Sequence, residues 1–181
     1  MLFRSLSSLS EGQKVRLLTE LDEYEEVLDF MFLDTGAGIS SNVMYFNLAA
    51  QERIVVVTPE PTSITDAYAL VKVMSTRHQQ KRFKILLNMA ANAQEAKSVF
   101  SLLASVADKH LDSISLDYVG FIPRDEMLLK SVRQQKAVLE AYPSSEAGKA
   151  FKAVAETLLR SQAEPSLDGN IMFFWKRLLK L

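Results

Sequence analysis

The chain contains no cysteine among its 181 residues. Disulfide bonds, thiolate metal sites and a cysteine nucleophile are therefore excluded. Its two histidines, His78 and His110, have no second histidine at metal-ligand spacing. We expect surface or helix-capping positions for both, and the sequence supports neither a zinc site nor a Ser-His-Asp arrangement.

A strong charge of one sign and a long apolar run are also lacking. The formal net charge of −1 gives no general attraction to nucleic acid, so no nucleic-acid partner is expected. No apolar run reaches the roughly 18 residues of a transmembrane helix, and the start of the chain lacks the pattern of a signal peptide. The hydrophobic content of 48% and the charged content of 24% are typical of a soluble globular protein, and the lack of cysteine fits the cytosol.

A mostly apolar hexapeptide, residues 29–34, predicts a buried strand that ends at Asp34. A loop of small residues follows, in which Gly36 and Gly38 permit positive φ angles and close approach to a ligand. Ser40 or the serine after it has the residue type of a helix N-cap. The same residues would also suit an ordinary strand-to-helix turn.

Strand and helix patterns alternate along the rest of the chain. Further strands are predicted at residues 53–58, 83–88, 116–122 and, as a short edge strand, 137–142. Helices are predicted at residues 11–27 and 41–50, behind a capping box at 63–66, behind Asn92 and Glu95, at 126–133 and from 144 or 145. This alternation indicates an α/β fold with a mostly parallel sheet flanked by helices.

Two finer expectations concern burial, and a third concerns domains. Residues 53–58 are β-branched and apolar without alternation, so we expect them to be buried on both faces. The helix behind Asn92 should bury Val99, Leu102, Leu103 and Val106. We expect one α/β domain over residues 1–161, a linker over 162–170 and a separate amphipathic helix over 171–181.

Polar residues stand where the predicted strands end, namely Asp34, Thr58, Asn88 and Asp125. In an open parallel sheet, ligands bind outside the carboxyl ends of the strands. Four polar groups on one edge would form a nucleotide site, and a carboxylate there could hold Mg²⁺. Alternatively, these residues do no more than cap strands.

Residues 34–40, Asp-Thr-Gly-Ala-Gly-Ile-Ser, resemble the switch II segment of the MinD/ParA class of deviant-Walker ATPases. Three further segments are similar to that class in the same order: residues 57–68, 87–88 and 120–126. Within the class, the chain is most similar to the flagellar-number regulators, a likeness also carried by residues 134–138 and 173–179. The resemblance implies a P-loop NTPase fold in a protein that dimerises on ATP.

The resemblance also implies roles for particular residues. Asp34 would be the catalytic switch II acid near Mg²⁺ and the attacking water. Asn88 would contact the adenine of ATP, and the loop packed against the base would be formed by Pro123, Arg124 and Asp125. Four residues would change with nucleotide state and lie near the dimer and partner surface: Gly36, Gly38, Ser40 and Asn42. ATP and Mg²⁺ would be the cofactors, with a second copy and flagellar assembly or regulatory proteins as partners.

The chain departs from the class in lacking its Gly-rich phosphate loop. Its one Gly-Lys pair, Gly148-Lys149, is followed by Ala150 inside a predicted helix. Because a P-loop supplies backbone N–H groups, a lysine and a Mg²⁺ ligand, we expect this chain to bind no cofactor and to be inactive as an ATPase. Met1 then looks like an artificial, alternative or truncated start. In the class, the P-loop strand lies between the strands that end here at Asp34 and Thr58, so we expect these two strands to pair directly or the gap to be filled by another segment or protomer.

The last segment, residues 171–181, has the pattern of an interfacial helix. On a helical wheel, apolar residues cover one half and cations lie opposite. The predicted membrane-contacting residues are Phe174, Trp175, Lys176, Arg177 and Leu178. The alternative is a helix that docks on its own domain or on a partner.

The leading functional hypothesis is therefore the C-terminal portion of a MinD-like ATPase that controls flagellar number or placement. It would act by ATP-dependent dimerisation and attach peripherally to the inner face of the cell membrane through its last helix. The alternative is a non-catalytic partner-binding module that retains the MinD-like fold.

Overall fold

A computed structural model describes residues 28–161 of the protein. The chain divides into two compact units, and the described residues 28–51 belong to the first and 52–161 to the second. The elements in chain order are α1 (Ser41–Ala49), β1 (Ile54–Val57), α2 (Pro61–His78), β2 (Arg82–Ala90), α3 (Ala93–His110), β3 (Ser115–Pro123), α4 (Glu126–Arg133), α5 (Val138–Ala141) and α6 (Glu146–Ser161). The helix predicted at residues 11–27 and the terminal helix at 171–181 lie outside the described residues.

The second unit is built on a parallel sheet with the strand order β1-β2-β3. Val57 is in register with Leu87, and Leu87 is in register with Phe121. Helices connect the strands, as parallel pairing requires. The predicted α/β fold with a mostly parallel sheet flanked by helices is thus confirmed.

Each face of the sheet has its own apolar layer. On one side, β2 buries Phe83, Ile85 and Leu87, while α2 and α3 pack on the strands. Because successive strand residues point to opposite faces, Leu86 belongs to the other side. There it packs against a cluster formed by β3, α5 and α6, whose buried members are Ile122, Val138, Ala147 and Val154.

A bulge in β3 brings α6 against the strand backbone. Tyr118 pairs with Ile85 and Gly120 pairs with Leu86, so Val119 is an extra residue in the ladder. Gly120 has φ +135°, and a Cβ atom there would lie 2.9 Å from Cγ2 of Val154 in α6. Glycine is therefore required at this position by both conformation and space.

The strand predicted at residues 29–34 is wrong, because these residues form neither strand nor helix. Phe32 is 79% exposed, and its ring stacks on Phe30 with centroids 6.5 Å apart. A strand exists only when its backbone groups pair with a neighbouring strand, and an apolar sequence alone does not supply that neighbour. The direct pairing expected between this segment and the strand that ends at Thr58 is therefore wrong, since residues 29–34 form no strand. The alternative, that another segment or protomer fills the gap, stays a prediction.

The burial expected on both faces of residues 53–58 is also wrong. Val55 and Val57 are buried, but Ile54 is exposed and Val56 is 54% exposed. Burial alternates because α2 packs on the face of β1 that carries Val55 and Val57, while the side chains on its other face stay exposed. In α3, Leu102 is exposed and the buried stripe is Ala96, Val99, Leu103 and Ala107.

The edge strand predicted at residues 137–142 is wrong, because α5 occupies Val138–Ala141, with Ala137 and Tyr142 as its caps. The carbonyl of Ala137 accepts hydrogen bonds from the N–H groups of Glu140 and Ala141 at 3.0 Å. Local helical bonds thus satisfy the backbone, and no neighbouring strand is required. The capping box predicted at residues 63–66 is absent as well, since α2 begins at Pro61 and the Ser63 hydroxyl accepts instead from the N–H of Thr58.

Candidate functional site

The candidate site lies where β2 and β3 end, in the second unit. Asn88 is in register with Ile122, and Ala90 is in register with Pro123. The N–H of Arg124 donates to the carbonyl of Ala90 at 3.0 Å, so the chain leaving β3 stays tied to the end of β2. The structure therefore brings together, at the carboxyl edge of the sheet, the four residues predicted to contact a nucleotide base: Asn88, Pro123, Arg124 and Asp125.

Asn88 is half-buried. Its Oδ1 accepts a hydrogen bond from the N–H of Met89 at 3.0 Å. Within the described residues, the amide NH₂ group makes no hydrogen bond and can donate to a ligand. The role of Asn88 in base recognition remains a prediction that this geometry permits.

Asp125 uses both of its carboxylate oxygens within the protein. Oδ1 accepts from the N–H of Met127 at 2.7 Å, and Oδ2 accepts from the N–H of Ala147 at 2.8 Å. The hydrogen bond from Ala147, followed by that from Met127, lowers the pKa of the carboxyl group. Asp125 thus caps the N-termini of α4 and α6, a structural role that the sequence did not indicate, and direct contact with a base remains a prediction.

Thr58, the residue after β1, makes hydrogen bonds with the loop that leads into α2 and with the first turn of that helix. The N–H of Thr58 donates to Oγ of Ser63 at 3.0 Å, and its hydroxyl donates to Oε2 of Glu60 at 3.2 Å. Thr58 therefore stabilises the turn into α2, which is the capping role that the sequence left open for it.

The segment predicted to act as switch II belongs to the first unit. Asp34 is exposed in a stretch without regular structure, and Gly38 has φ +91°. Ser40 is the N-cap of α1, with its Oγ accepting from the N–H of Val43 at 3.4 Å. The functional roles of Asp34, Gly36, Gly38, Ser40 and Asn42 stay predictions.

Over residues 28–161, no group of three His, Asp or Glu side chains could hold a metal ion. In the same range, no helix is both long and apolar enough to cross a bilayer. The predicted membrane-contacting residues lie outside the described range: Phe174, Trp175, Lys176, Arg177 and Leu178.

Sequence reasoning missed one residue of this edge, Met89. It has φ +58° and is skipped in the ladder between the pairs Asn88–Ile122 and Ala90–Pro123. Methionine carries no sequence signal for the left-handed conformation, which favours glycine and asparagine. The bulge is set by pairing with β3, about thirty residues further on, so no local pattern could have revealed it.

Comparison with known proteins assigns the chain to a family. Residues 10–159 match the ParA family, described as NUBPL iron-transfer P-loop NTPase. The protein therefore belongs to the ParA family of P-loop NTPases, as the resemblance of its switch II and base-loop segments predicted.

Individual relatives agree with this assignment. The chain is 43% identical over 177 residues to the antiactivator FleN of Pseudomonas aeruginosa, a match that covers 98% of this chain and 63% of FleN. It is 31% identical over 156 residues to the flagellum site-determining protein YlxH of Helicobacter pylori, covering 84% of this chain and 52% of YlxH. The chain thus spans between about half and two thirds of the length of these curated relatives.

The fold also matches a solved structure. It is similar to the septum site-determining protein MinD of Pyrococcus horikoshii, determined in complex with Mg-ADP. The TM-score is 0.61 at 18% identity, over 85% of this chain and 60% of that one. At this identity, the similarity establishes the common fold.

Proposed function

We propose that the chain corresponds to the C-terminal portion of a MinD-like ATPase that regulates flagellar number or placement. The observation that carries the proposal is the edge formed by Asn88, Pro123, Arg124 and Asp125 in a ParA-family sheet. The similarity of the chain to YlxH, a flagellum site-determining protein, supports the flagellar setting. Its similarity to FleN, an antiactivator, supports a regulatory role.

The residues at this edge fit the base end of a nucleotide. Asn88 offers two amide N–H donors, and the backbone of Pro123 and Arg124 is held beside it. A purine carries acceptor nitrogens that such donors recognise, while Pro123 offers apolar surface. These residues would therefore orient a base, and the caps made by Asp125 would keep their loop rigid.

The sequence lacks the motif that would bind the phosphate end of ATP. The sequence has no Gly-Lys-Thr or Gly-Lys-Ser motif, and Gly148-Lys149 lies inside α6. Lys149 pairs with Glu146 at 3.0 Å. Since the charge of a triphosphate would be largely uncompensated, we propose that this chain alone does not hydrolyse ATP, and that Asp34 would act only in an intact protein.

Dimerisation and membrane attachment complete the proposal. An intact protein would dimerise when it binds ATP and Mg²⁺, with residues 36–42 near the dimer and partner surface. Residues 171–181 would attach it to the inner face of the cell membrane, with Phe174 and Trp175 inserted and Lys176 and Arg177 near anionic headgroups. Flagellar assembly or regulatory proteins would be its partners.

A second candidate function is a non-catalytic module that binds a partner protein. It is favoured by the outer side of α4, where Leu129 and Val132 are 53% and 65% exposed. These residues are three positions apart and therefore neighbours on one side of the helix. Arg133 lies on the same side, and no ion pair joins it to another residue of the described range.

A fusion experiment would separate the two functions. The part of FleN that this chain does not span would be fused to the chain, and the fusion would be expressed in Pseudomonas aeruginosa lacking FleN. We expect the fusion to restore the normal number of flagella and the Asp34→Ala fusion to fail. A stable fusion with no effect on flagellar number would contradict the ATPase proposal. A change caused by the chain alone, without the fused part, would support the partner-binding module.

A further inference from the structure

Met89 stands apart from the other residues with unusual backbone angles. The non-glycine residues with positive φ in residues 28–161 are Gln79, Met89, Ser113 and Gln135. Gln79 ends α2, and Ser113 and Gln135 lie in the turns after α3 and α4. Of these four residues, Met89 is the one with an apolar side chain, and it lies within β2. Residues held in disfavoured backbone conformations cluster at functional sites.

Hydrogen bonds on both sides hold Met89 in this conformation. Its own N–H donates to Oδ1 of Asn88 at 3.0 Å. The carbonyl of Ala90 accepts from the N–H of Arg124 at 3.0 Å, and the N–H of Ala91 donates to Oε2 of Glu95 at 2.6 Å. The bulge is therefore built into the end of the strand, and it leaves the Met89 side chain 41% exposed.

We propose that Met89 is a base-contacting residue. Its thioether packs on the face of the adenine ring, while the Asn88 amide hydrogen-bonds to the edge of the same ring. This inference rests on the proposed function, because it assigns one more residue to the same nucleotide site. Methionine suits the task since its sulfur is polarisable and makes favourable contacts with aromatic rings. The left-handed bulge removes Met89 from the strand ladder, next to the amide that would recognise the base.

Adenosine is the appropriate probe because it carries the base without phosphates and therefore does not need the missing loop. The full chain, labelled with ¹³C at its methionine methyl groups, would be titrated with adenosine and observed by NMR. The chain has seven methionines, and the buried Met74, near the C-terminus of α2, serves as an internal control. On addition of adenosine, we expect the signals of the Met89 methyl and of the Asn88 side-chain amide to shift and the Met74 methyl signal to stay in place. Ribose should shift none of these signals.

Three variants separate contact from backbone strain. Met89→Leu keeps an apolar side chain and should retain binding. Met89→Gly removes the side chain and relieves the strain, so it should weaken adenosine binding about three- to tenfold without loss of thermal stability. Gln135→Gly is the matched control. Gln135 also has a positive φ, +54°, but lies in the turn after α4, so relief of its backbone strain should leave adenosine binding unchanged.

The outcomes distinguish this inference from the function on which it rests. Movement of the Asn88 amide without the Met89 methyl would overturn the role of Met89 and leave the base site intact. Equal affinity of Met89→Gly and the unmodified chain would do the same. If neither signal moved up to the solubility of adenosine, the role of Met89 and the base site would both be wrong, while the fusion experiment would still test flagellar control.

Discussion

Oδ2 of Asp125 accepts a hydrogen bond from the N–H of Ala147 at 2.8 Å, across 22 residues of sequence. Its other oxygen accepts from the N–H of Met127. One carboxylate therefore satisfies backbone donors at the start of two helices, α4 and α6, where helix dipoles also favour negative charge. This shared cap ties the starts of α4 and α6 to the residue that follows Pro123 and Arg124.

Replacement of Asp125 should destabilise the protein in a pH-dependent way. Loss of an N-cap costs about 0.5–2 kcal/mol, so Asp125→Ala should lose roughly 1–4 kcal/mol from its two caps at neutral pH. The pKa of Asp125 is lowered in the folded state, so its contribution is complete above the unfolded pKa of about 4 and is lost as the pH falls through the lower folded value.

Urea unfolding between pH 7 and pH 2 would measure this effect. The stability of Asp125→Ala should converge on that of the unmodified chain at the acid end of the range. Asp66→Asn, on the exposed side of α2, is the control and should leave the profile unchanged. A constant difference at every pH would show that the charge of Asp125 is not involved.

Lys84 should be the most sensitive polar residue of the sheet. Its Nζ lies 2.6 Å from both oxygens of Glu52 and 2.6 Å from Oγ of Ser161, the last residue of α6. The Lys84 side chain is 11% exposed and that of Glu52 is 38% exposed, so water can partly rehydrate Glu52 when the lysine is removed. Lys84→Met should therefore cost about 1–3 kcal/mol.

The exposed pair of Lys149 and Glu146 provides the comparison. Lys149→Met should change the free energy of unfolding by about 0.5 kcal/mol or less. Hydrogen exchange at the end of α6 should accelerate only in Lys84→Met, because Ser161 loses the bond that ties it to β2 and keeps its bond to the carbonyl of Leu158 within the helix. Similar losses for both lysine variants would show that Lys84 does not anchor the helix.

Gly148 should not accept a larger residue. A Cβ atom there would lie 2.7 Å from the carbonyl oxygen of Tyr142 and 2.8 Å from that of Pro143, both backbone atoms. Gly148→Ala should thus destabilise the second unit by about 1–3 kcal/mol through overpacking. Thermal melting would test this against Gly36→Ala, whose added Cβ would meet no atom within 4 Å. If both variants melted alike, the close approach would not matter for stability.

The chain should neither bind Mg-ATP tightly nor release phosphate from it. The reason is the missing phosphate loop, which leaves the nucleotide's charge without its usual donors. Titration calorimetry and a phosphate-release assay would measure both. Turnover above background that Asp34→Ala abolishes would prove this prediction wrong.

Residues 171–181 should bind anionic membranes weakly and in a salt-sensitive manner. Inserted apolar side chains contribute about 1.5–3 kcal/mol each and basic residues about 1 kcal/mol each, against the cost of ordering the helix. Sedimentation with liposomes at low and high salt should fall for Trp175→Glu and for a chain ending at Asn170. Equal sedimentation of all three chains would favour a helix that docks on protein.

Local signals predicted the elements that depend on local chemistry. Asn92 accepts from the N–H of Glu95 at 2.9 Å, and α3 begins where this capping box placed it. Helix α4 has the predicted bounds because Asp125 caps it from the adjoining residue. By contrast, the strand prediction at residues 29–34 failed because a strand needs a partner strand, which the local sequence does not specify. The prediction of an edge strand in place of α5 failed because the apolar residues of this segment suit a strand as well as a helix.

In the candidate site, too, local features could be predicted from the sequence and features that depend on distant segments could not. The positions of Asn88 and Asp125 followed from where predicted strands end, and the parallel sheet brought them to one edge. The bulge at Met89 and the bond from Asp125 to Ala147 depend on segments distant in sequence. Register shifts and shared caps of this kind are fixed only when the whole sheet assembles.

The close packing of Gly120 against Val154 has an evolutionary consequence. A side chain at position 120 would collide with α6, and a smaller residue at position 154 would relieve only that collision. The φ of +135° would remain unfavourable for any residue with a Cβ atom. A compensating change at position 154 therefore cannot fully rescue a substitution at position 120, and descendants of this sequence should keep the glycine while position 154 remains free to vary among small apolar residues.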